Sequence, residues 1–335
     1  MEKTNYQQIS FLDRFKGCIY GLAIGDALGA PTEFMRLDEI YEIFGPQGLT
    51  DFAPKGLSQR VISHYFPPAG FYTDDTQMSL ATARALIKSK SIDIDEIMSH
   101  ISAEYIDWLN TQDDPKQARA PGSTCISGVR NMQSGISWKN SGIKDSLGCG
   151  AAMRTAPIGL FLYGNPEKLI EVGYAASACT HANPTAASAG VGTAYLTALA
   201  LNNVSPENFI SKLELIAKKL NPLFAQKISQ VRDVLDYSNS QKAMKELGEA
   251  WDGHEAVALG LYCFLKNPRD YKKTVLMAAN TSGDSDSIAC IAGAISGAYN
   301  GINAIPSKWI AEVENTGLLK QTSKQLYESA SRRQK

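Results

Sequence analysis

The stretch Gly17-Cys-Ile-Tyr-Gly-Leu-Ala-Ile-Gly25 places a glycine at every fourth position. Gly293, Gly297 and Gly301 repeat that interval near the other end of the chain. Residues i and i+4 share one face of an α-helix. A glycine inside a helix costs ~1 kcal/mol against alanine, so three in register call for compensation. Close approach of a second backbone is the simplest compensation, and the two ladders predict a pair of helices in contact. The alternative is two loose, glycine-tolerant helices. Packed antiparallel, Gly25 is expected to face Gly293, which brings Asp26 and Glu33 near Asp284 and Asp286.

Helical periodicity continues outward from these ladders. The spacing of apolar residues predicts helices over Thr76–Ile87, Asp95–Leu109, Glu167–Ala178, Thr185–Leu201, Glu207–Leu220, Phe224–Tyr237, His254–Leu265, Tyr271–Ala279 and Asp286–Tyr299. Pro166, Pro184, Pro206, Pro222 and Pro268 fall near their starts, where proline is tolerated. Strand-type alternation is scarce, and Arg60–Phe66 is its best example. The expected fold is all-α. No linker or repeat divides the chain, so a single domain over 1–335 is expected. Its ordered core would span about 12–320, with the first residues and the polar tail after Lys320 outside it.

Composition excludes several partner classes. Lys and Arg (33) nearly balance Asp and Glu (34), so no basic excess points to nucleic acid or an anionic membrane. Two uncharged stretches, Pro184 to Pro206 and Ile288 to Ser307, are too rich in small polar residues for membrane spans and read as buried helices. The N-terminus lacks an apolar signal core, and a cytoplasmic location is expected. The six cysteines and four histidines are scattered, against a zinc finger and in favour of reduced thiols.

Chemistry concentrates in two acidic clusters, Thr73-Asp74-Asp75 and Asp284-Ser285-Asp286-Ser287, each just ahead of a helical pattern. Such residues are ordinary N-caps. A cap needs one acid, however, and Asp74 and Asp75 are adjacent. Gly283 frees the backbone before Asp284 to turn several oxygens to one point. Thr73 and Ser287 add hydroxyls, and hard divalent cations take such oxygens. If Glu33, Asp74, Asp75, Asp284 and Asp286 converge, five negative charges meet. Two divalent cations would offset four of them. An EF-hand loop from Asp284 would need Glu where Ile295 stands. The D-D-x-x-D of helical terpene synthases fails at Met78. No adjacent His-Asp pair exists for a helical phosphohydrolase, and the Asp-x-Asp of glycosyltransferases normally belongs to an α/β fold.

The ordered motifs resemble the ADP-ribosylglycohydrolase family, which includes the dinitrogen-reductase-activating glycohydrolase. The matching segments run from Gly17 to Glu33 and Tyr72 to Gln77. They continue through Arg119-Ala-Pro-Gly122, Gly148-Cys-Gly-Ala-Ala-Met-Arg154 and Thr180-His181, and end at Gly283 to Ile288 leading into Gly293–Tyr299. The resemblance implies a compact orthogonal helical bundle and a binuclear Mg²⁺ or Mn²⁺ centre. It also implies hydrolysis of ADP-ribose from an ADP-ribosylated protein or small conjugate, by a chain expected to be a monomer. By position, Thr73, Asp74, Asp75, Asp284, Asp286 and Ser287 match the metal ligands, and Glu33 with Asp286 the catalytic acids. Ser287 replaces the usual Thr and keeps its hydroxyl. Cys149 and Asn183 stand where many relatives have Asn and His. Gly122, Ser123, Gly148, Cys149, Gly150, Ala151, Met153 and His181 are the implied substrate contacts. Arg154 is expected to hold a phosphate or an internal ion pair. Trp108, Trp138, Trp251 and Trp309 are expected in the core or at an interface, with His64, His100 and His254 structural. Arginine is the first choice of acceptor. O-linked or small-molecule conjugates, and a non-catalytic ADP-ribose-binding module, are the alternatives.

Overall fold

Glycine ladders do bring two helices together, but in a register one turn away from the expected one. In the computed structural model, which describes residues 9–53 and 68–333, a Cβ on Gly21 would lie 2.3 Å from Gly293 O. A Cβ on Gly17 would lie 2.1 Å from Gly297 O, and one on Gly25 would lie 2.0 Å from Ala289 O. Gly25 therefore meets Ala289 rather than Gly293. The ladder also runs one turn further, since a Cβ on Gly29 would sit 2.4 Å from Asp286 Cα. That extra turn carries the contact to the acidic end.

Sixteen α-helices and no strand form among the described residues. In chain order they are α1 Phe11–Gly29, α2 Leu37–Phe44, α3 Asp74–Lys88, α4 Ile94–Thr111, α5 Ser123–Gln133, α6 Ala156–Phe161, α7 Pro166–Ala178 and α8 Pro184–Leu201. Then follow α9 Phe209–Leu220, α10 Pro222–Val234, α11 Ser240–Leu247, α12 Gly253–Lys266, α13 Tyr271–Ala279, α14 Ser285–Asn300, α15 Ser307–Glu312 and α16 Thr316–Ser331. The starts follow local chemistry. Asn165, Asn183 and Asn221 each accept a backbone N–H as N-cap, and a proline follows at N1. The strand expected at Arg60–Phe66 lies outside the described residues, as does His64.

The α1–α14 pair is the axis of the molecule. From Cys18 to Leu28 and from Ser285 to Tyr299 every side chain is buried, as a helix apolar on all sides requires. Helix α8 is buried almost as completely against α7, α12 and α14. No helix is long and apolar enough to cross a membrane among the described residues.

The tail after Lys320 departs from expectation. It is helical to Ser331 and packs on α1, α3 and α6, burying Leu326, Ser329 and Ala330. Small polar residues on the buried face hid this amphipathicity.

Candidate active site

The register of α1 against α14 decides where the acids meet. Asp26, near the end of α1, is fully buried and accepts from Thr73 N and Thr73 Oγ1, both at 2.9 Å, and from Thr76 N at 3.0 Å. Burial pushes its carboxyl up to about 6, with the Thr76 and Thr73 hydrogen bonds opposing. Asp26 thus receives the N-terminus of α3 and sets Asp74 and Asp75 beside α1. Beyond Gly29 the chain turns at Ala30–Thr32 and presents Glu33. Phe34 N donates to Gly283 O at 3.0 Å, and Gly283 N to Met35 O at 3.3 Å. This two-bond splice ties Glu33 to the turn before Asp284. Phe34 holds φ +65°, a conformation costly for a bulky residue.

The result is a cleft of about 430 Å³. Glu33, Asp74, Asp75, Asp284, Asp286 and Ser287 line one side of it. Gly122, Ser123, Gly148, Cys149, Gly150, Met153 and His181 line the other. Carboxylate oxygens of Glu33, Asp284 and Asp286 lie within 4.8 Å of one another. No lysine or arginine lines the cleft among the described residues. Arg119, next in sequence to the lining residue Ala120, pairs with Glu314 at 2.9 Å and stacks on Phe71. Among the described residues the acids therefore lack a cationic partner. Burial, then Asp284, Asp74 and Asp26, push Glu33 up to about 9. Asp74, Asp75 and Asp286 are raised well above the ordinary range, by burial first and neighbouring carboxylates next. Asp75 Oδ2 is buried with no hydrogen-bond partner. Like charges without compensation in a buried site call for cations, and this donor set of hard oxygens fits divalent ones.

Two expected residues stand back from the cleft. Thr73 is N-cap of α3 with its hydroxyl committed to Asp26 and Asp75 N, and it is not part of the lining. Ala151 is wholly buried behind the wall. Arg154 lies behind the wall and makes no ion pair among the described residues. It is fully buried, donates to Ala176 O at 3.0 Å, and lies 4.7 Å from the Tyr105 ring centre. Ser123 and Thr124 open α5.

The far wall is pinned by short backbone bridges. Cys149 N donates to Trp251 O at 3.2 Å and Gly253 N to Leu147 O at 2.8 Å, holding a 3₁₀ turn over Cys149–Arg154. Cys149 Sγ donates to Asp284 Oδ2 at 2.6 Å. His181 is buried, and burial followed by the Arg154 charge pulls its imidazole down to about 3, so it is neutral. A Cβ on Gly150 would lie 2.6 Å from Cys125 Sγ and 2.9 Å from His181 Cε1. Gly150→Ala is accordingly expected to destabilise by about 1–3 kcal/mol. A lower urea midpoint at unchanged slope reads this, and an unshifted midpoint would show that the ring gives way freely.

Sequence reasoning missed the rim. Phe34 and Trp251 line the cleft, stacked with ring centres 5.0 Å apart and planes at 26°, and both are largely exposed. Trp108 and Trp309 are core residues as expected. Cys125 also lines the cleft. Nothing in the local pattern of Trp251 separates a rim tryptophan from a buried one. Another cavity, about 510 Å³ between α2 and α11, gathers Arg36, Lys242 and Lys245 but no acidic convergence.

Fold and cleft together define an all-α protein that gathers buried carboxylates from both ends of its chain into one ligand-sized opening. The chain belongs to the ADP-ribosylglycohydrolase family, whose sequence model matches residues 7–335. Members of that family are hydrolases acting on ADP-ribose glycosidic bonds. The chain is 28% identical over 304 residues to the ADP-ribosyl-[dinitrogen reductase] glycohydrolase of Rhodospirillum rubrum, covering 90% of each chain. It is 24% identical over 323 residues to the ADP-ribosylarginine hydrolase Tri1 of Pseudomonas putida, covering 95% of this chain and 79% of that one. A solved ADP-ribosylglycohydrolase-related protein complex contains a chain of the same fold. The TM-score is 0.75 at 24% identity, over 96% of this chain and 99% of that one.

Proposed function

We propose that this protein is a divalent-cation-dependent hydrolase that removes ADP-ribose from modified arginine on proteins. One observation carries the cation dependence: among the described residues, five carboxylates converge on the cleft with no basic residue lining it, and Asp75 Oδ2 is buried without a hydrogen-bond partner. Glu33, Asp74, Asp75, Asp284, Asp286 and the Ser287 hydroxyl would hold two Mg²⁺ or Mn²⁺ ions. When bound, such ions supply Lewis-acid polarisation of ribose oxygens and activation of water.

The chain's own groups do the rest. Glu33 and Asp286, close together in the cleft, are the proton-handling acids for cleavage at C1 of the distal ribose, a step with oxocarbenium character. Backbone around Gly122 and Gly148–Gly150 approaches the ligand closely because no side chain intervenes. Trp251 and Phe34 offer flat faces at the rim. Five carboxylates against two divalent cations leave one negative charge, which suits a cationic guanidinium leaving group better than a neutral serine oxygen. The name of the Tri1 relative supports the same acceptor.

The test is release of ADP-ribose from ADP-ribosylarginine protein by the full chain. It is expected to stop with EDTA and resume with Mg²⁺ or Mn²⁺. ADP-ribose binding without release from arginine, serine or small-molecule conjugates would identify a binding module instead. Release undiminished by EDTA would remove the cations from the reaction.

A further inference from the structure

We infer that Arg154, outside the cleft, acts through Thr180 as a positioning residue that fixes His181 in the tautomer donating from Nε2 into the cleft. Arg154 Nη2 lies 2.5 Å from Thr180 Oγ1 and 3.0 Å from Ala176 O. A guanidinium can only donate, so Thr180 Oγ1 accepts. The hydroxyl then has one hydrogen to give. Its acceptors are His181 Nδ1 at 2.8 Å and Ser177 O at 3.4 Å, and the shorter, better bond goes to the imidazole. An accepting Nδ1 carries no hydrogen, so the neutral ring carries it on Nε2.

Nε2 is the atom that faces the site. It would lie 3.4 Å from a Cβ on Gly148 and 3.2 Å from one on Gly150, and both glycines line the cleft. It has no protein hydrogen-bond partner among the described residues. The backbone holds the ring in place: His181 N donates to Ser177 O at 2.9 Å, and Ile143 bridges Thr180 O and Ala182 N at 2.8 and 3.0 Å. Arg154 is fully buried, with no carboxylate partner among the described residues, and its Nε makes no hydrogen bond. A buried charge is costly to keep without a partner. Setting the polarity of the Thr180 hydroxyl gives this one a role that an ion pair would not explain.

The consequence is chemical selectivity. A fixed Nε2–H recognises an oxygen with a free lone pair and repels an N–H or O–H that can only donate. The identity of that oxygen, on a phosphate or ribose of ADP-ribose, rests on the functional reading above. The tautomer does not.

Proton–nitrogen correlation spectra of the full chain with ¹⁵N-labelled histidine test it directly. Wild type is expected to show His181 protonated on Nε2 alone. Thr180→Val, which keeps the shape and removes the hydroxyl, should populate the Nδ1–H form, and Thr180→Ser should restore the wild-type pattern. Arg154→Met should give a mixture, because the freed Thr180 oxygen can then accept from the ring. In steady-state hydrolysis, Thr180→Val is expected to raise KM up to about tenfold with kcat little changed, as loss of one ground-state hydrogen bond does. An Nδ1–H ring in wild type overturns the inference, and the wild-type and Thr180→Ser spectra decide this even if the other variants do not fold. So does a Thr180→Val protein with wild-type tautomer and KM. A single Nε2–H form in Arg154→Met removes Arg154 from the relay. The expected tautomer in a protein that releases no ADP-ribose would sink the functional reading and leave the relay standing.

Discussion

Asp75→Asn is expected to raise the melting temperature of the cation-free protein while removing its hydrolytic activity. Asp75 is buried among Asp26, Asp74 and Asp284, which with burial hold its carboxyl well above the ordinary range. Its Oδ2 has no partner. An amide of the same shape spares the fold the cost of either ionising or protonating a carboxyl there, a gain of about 0.5–2 kcal/mol of the kind found where function opposes stability. The same change deletes a hard anionic oxygen from the proposed cation site. A loss of roughly 10³-fold in rate, about 4 kcal/mol of transition-state stabilisation, is the expected scale. The pH dependence has a definite sign. Glu33 is raised from 4.5 to about 9 and Asp26 from 3.8 to about 6, so the folded state binds protons more tightly than the unfolded. Their stabilising contribution is complete below the ordinary carboxylate range and is lost as pH rises through the folded values. The melting temperature in EDTA should therefore fall from weakly acidic pH toward about 9, and saturating Mg²⁺ or Mn²⁺ should flatten the fall. Calorimetric melting with and without EDTA, beside an ADP-ribose release assay, measures all of this. An Asp75→Asn protein that melts lower and still turns over would refute it.

The cleft was legible in the sequence because its parts are oxygen-bearing residues in short runs. Asp74-Asp75 and Asp284-Ser285-Asp286-Ser287 stand out anywhere, and the glycine ladders say which two segments can approach. The register did not emerge, for a physical reason. Close packing needs a small residue and not specifically glycine, so Ala289 serves opposite Gly25 and the contact slides one turn. Counting glycines alone weights the wrong rows. Helix α16 escaped because its buried face uses Thr322, Ser323 and Ser329 beside Leu319, Leu326 and Ala330. Apolar periodicity cannot register small polar side chains that pack as well as alanine. For Arg154 the sequence left a phosphate and an internal partner open, because a charge in a motif fits either. Only the three-dimensional neighbours, Tyr105, Ala176 and Thr180, show that it serves the protein interior.

Gly21→Ala tests the axis itself. Its Cβ would be 2.3 Å from Gly293 O, 3.1 Å from Gly293 C and 3.2 Å from the Tyr271 ring. Two of those atoms are backbone within a buried helix, so no rotamer change relieves the contact. The helices must separate by an appreciable fraction of an ångström, and every contact along the pair loosens with them. Alanine's better helix propensity returns ~1 kcal/mol. The overpacking costs at least ~3 kcal/mol, at the upper end for such insertions. A net loss of about 2 kcal/mol or more lowers the melting temperature by ~3 °C or more in a chain of this size. Gly317→Ala is the control. Gly317 lies in α16 with nothing within 4 Å of its added Cβ and no positive φ, so there the propensity term acts alone and stability should rise by up to ~1 kcal/mol. The two glycines thus predict opposite signs for one substitution. The functional readout follows from geometry. Asp26 lies on α1 and Glu33 just beyond it, while Asp284 and Asp286 sit at the facing end of α14. Forcing the helices apart at Gly21 should weaken Mn²⁺ binding although no ligand has changed. A Gly21→Ala protein that melts at or above wild type and binds Mn²⁺ equally well would mean that the ladder is loose packing and that the cleft is held by its loops.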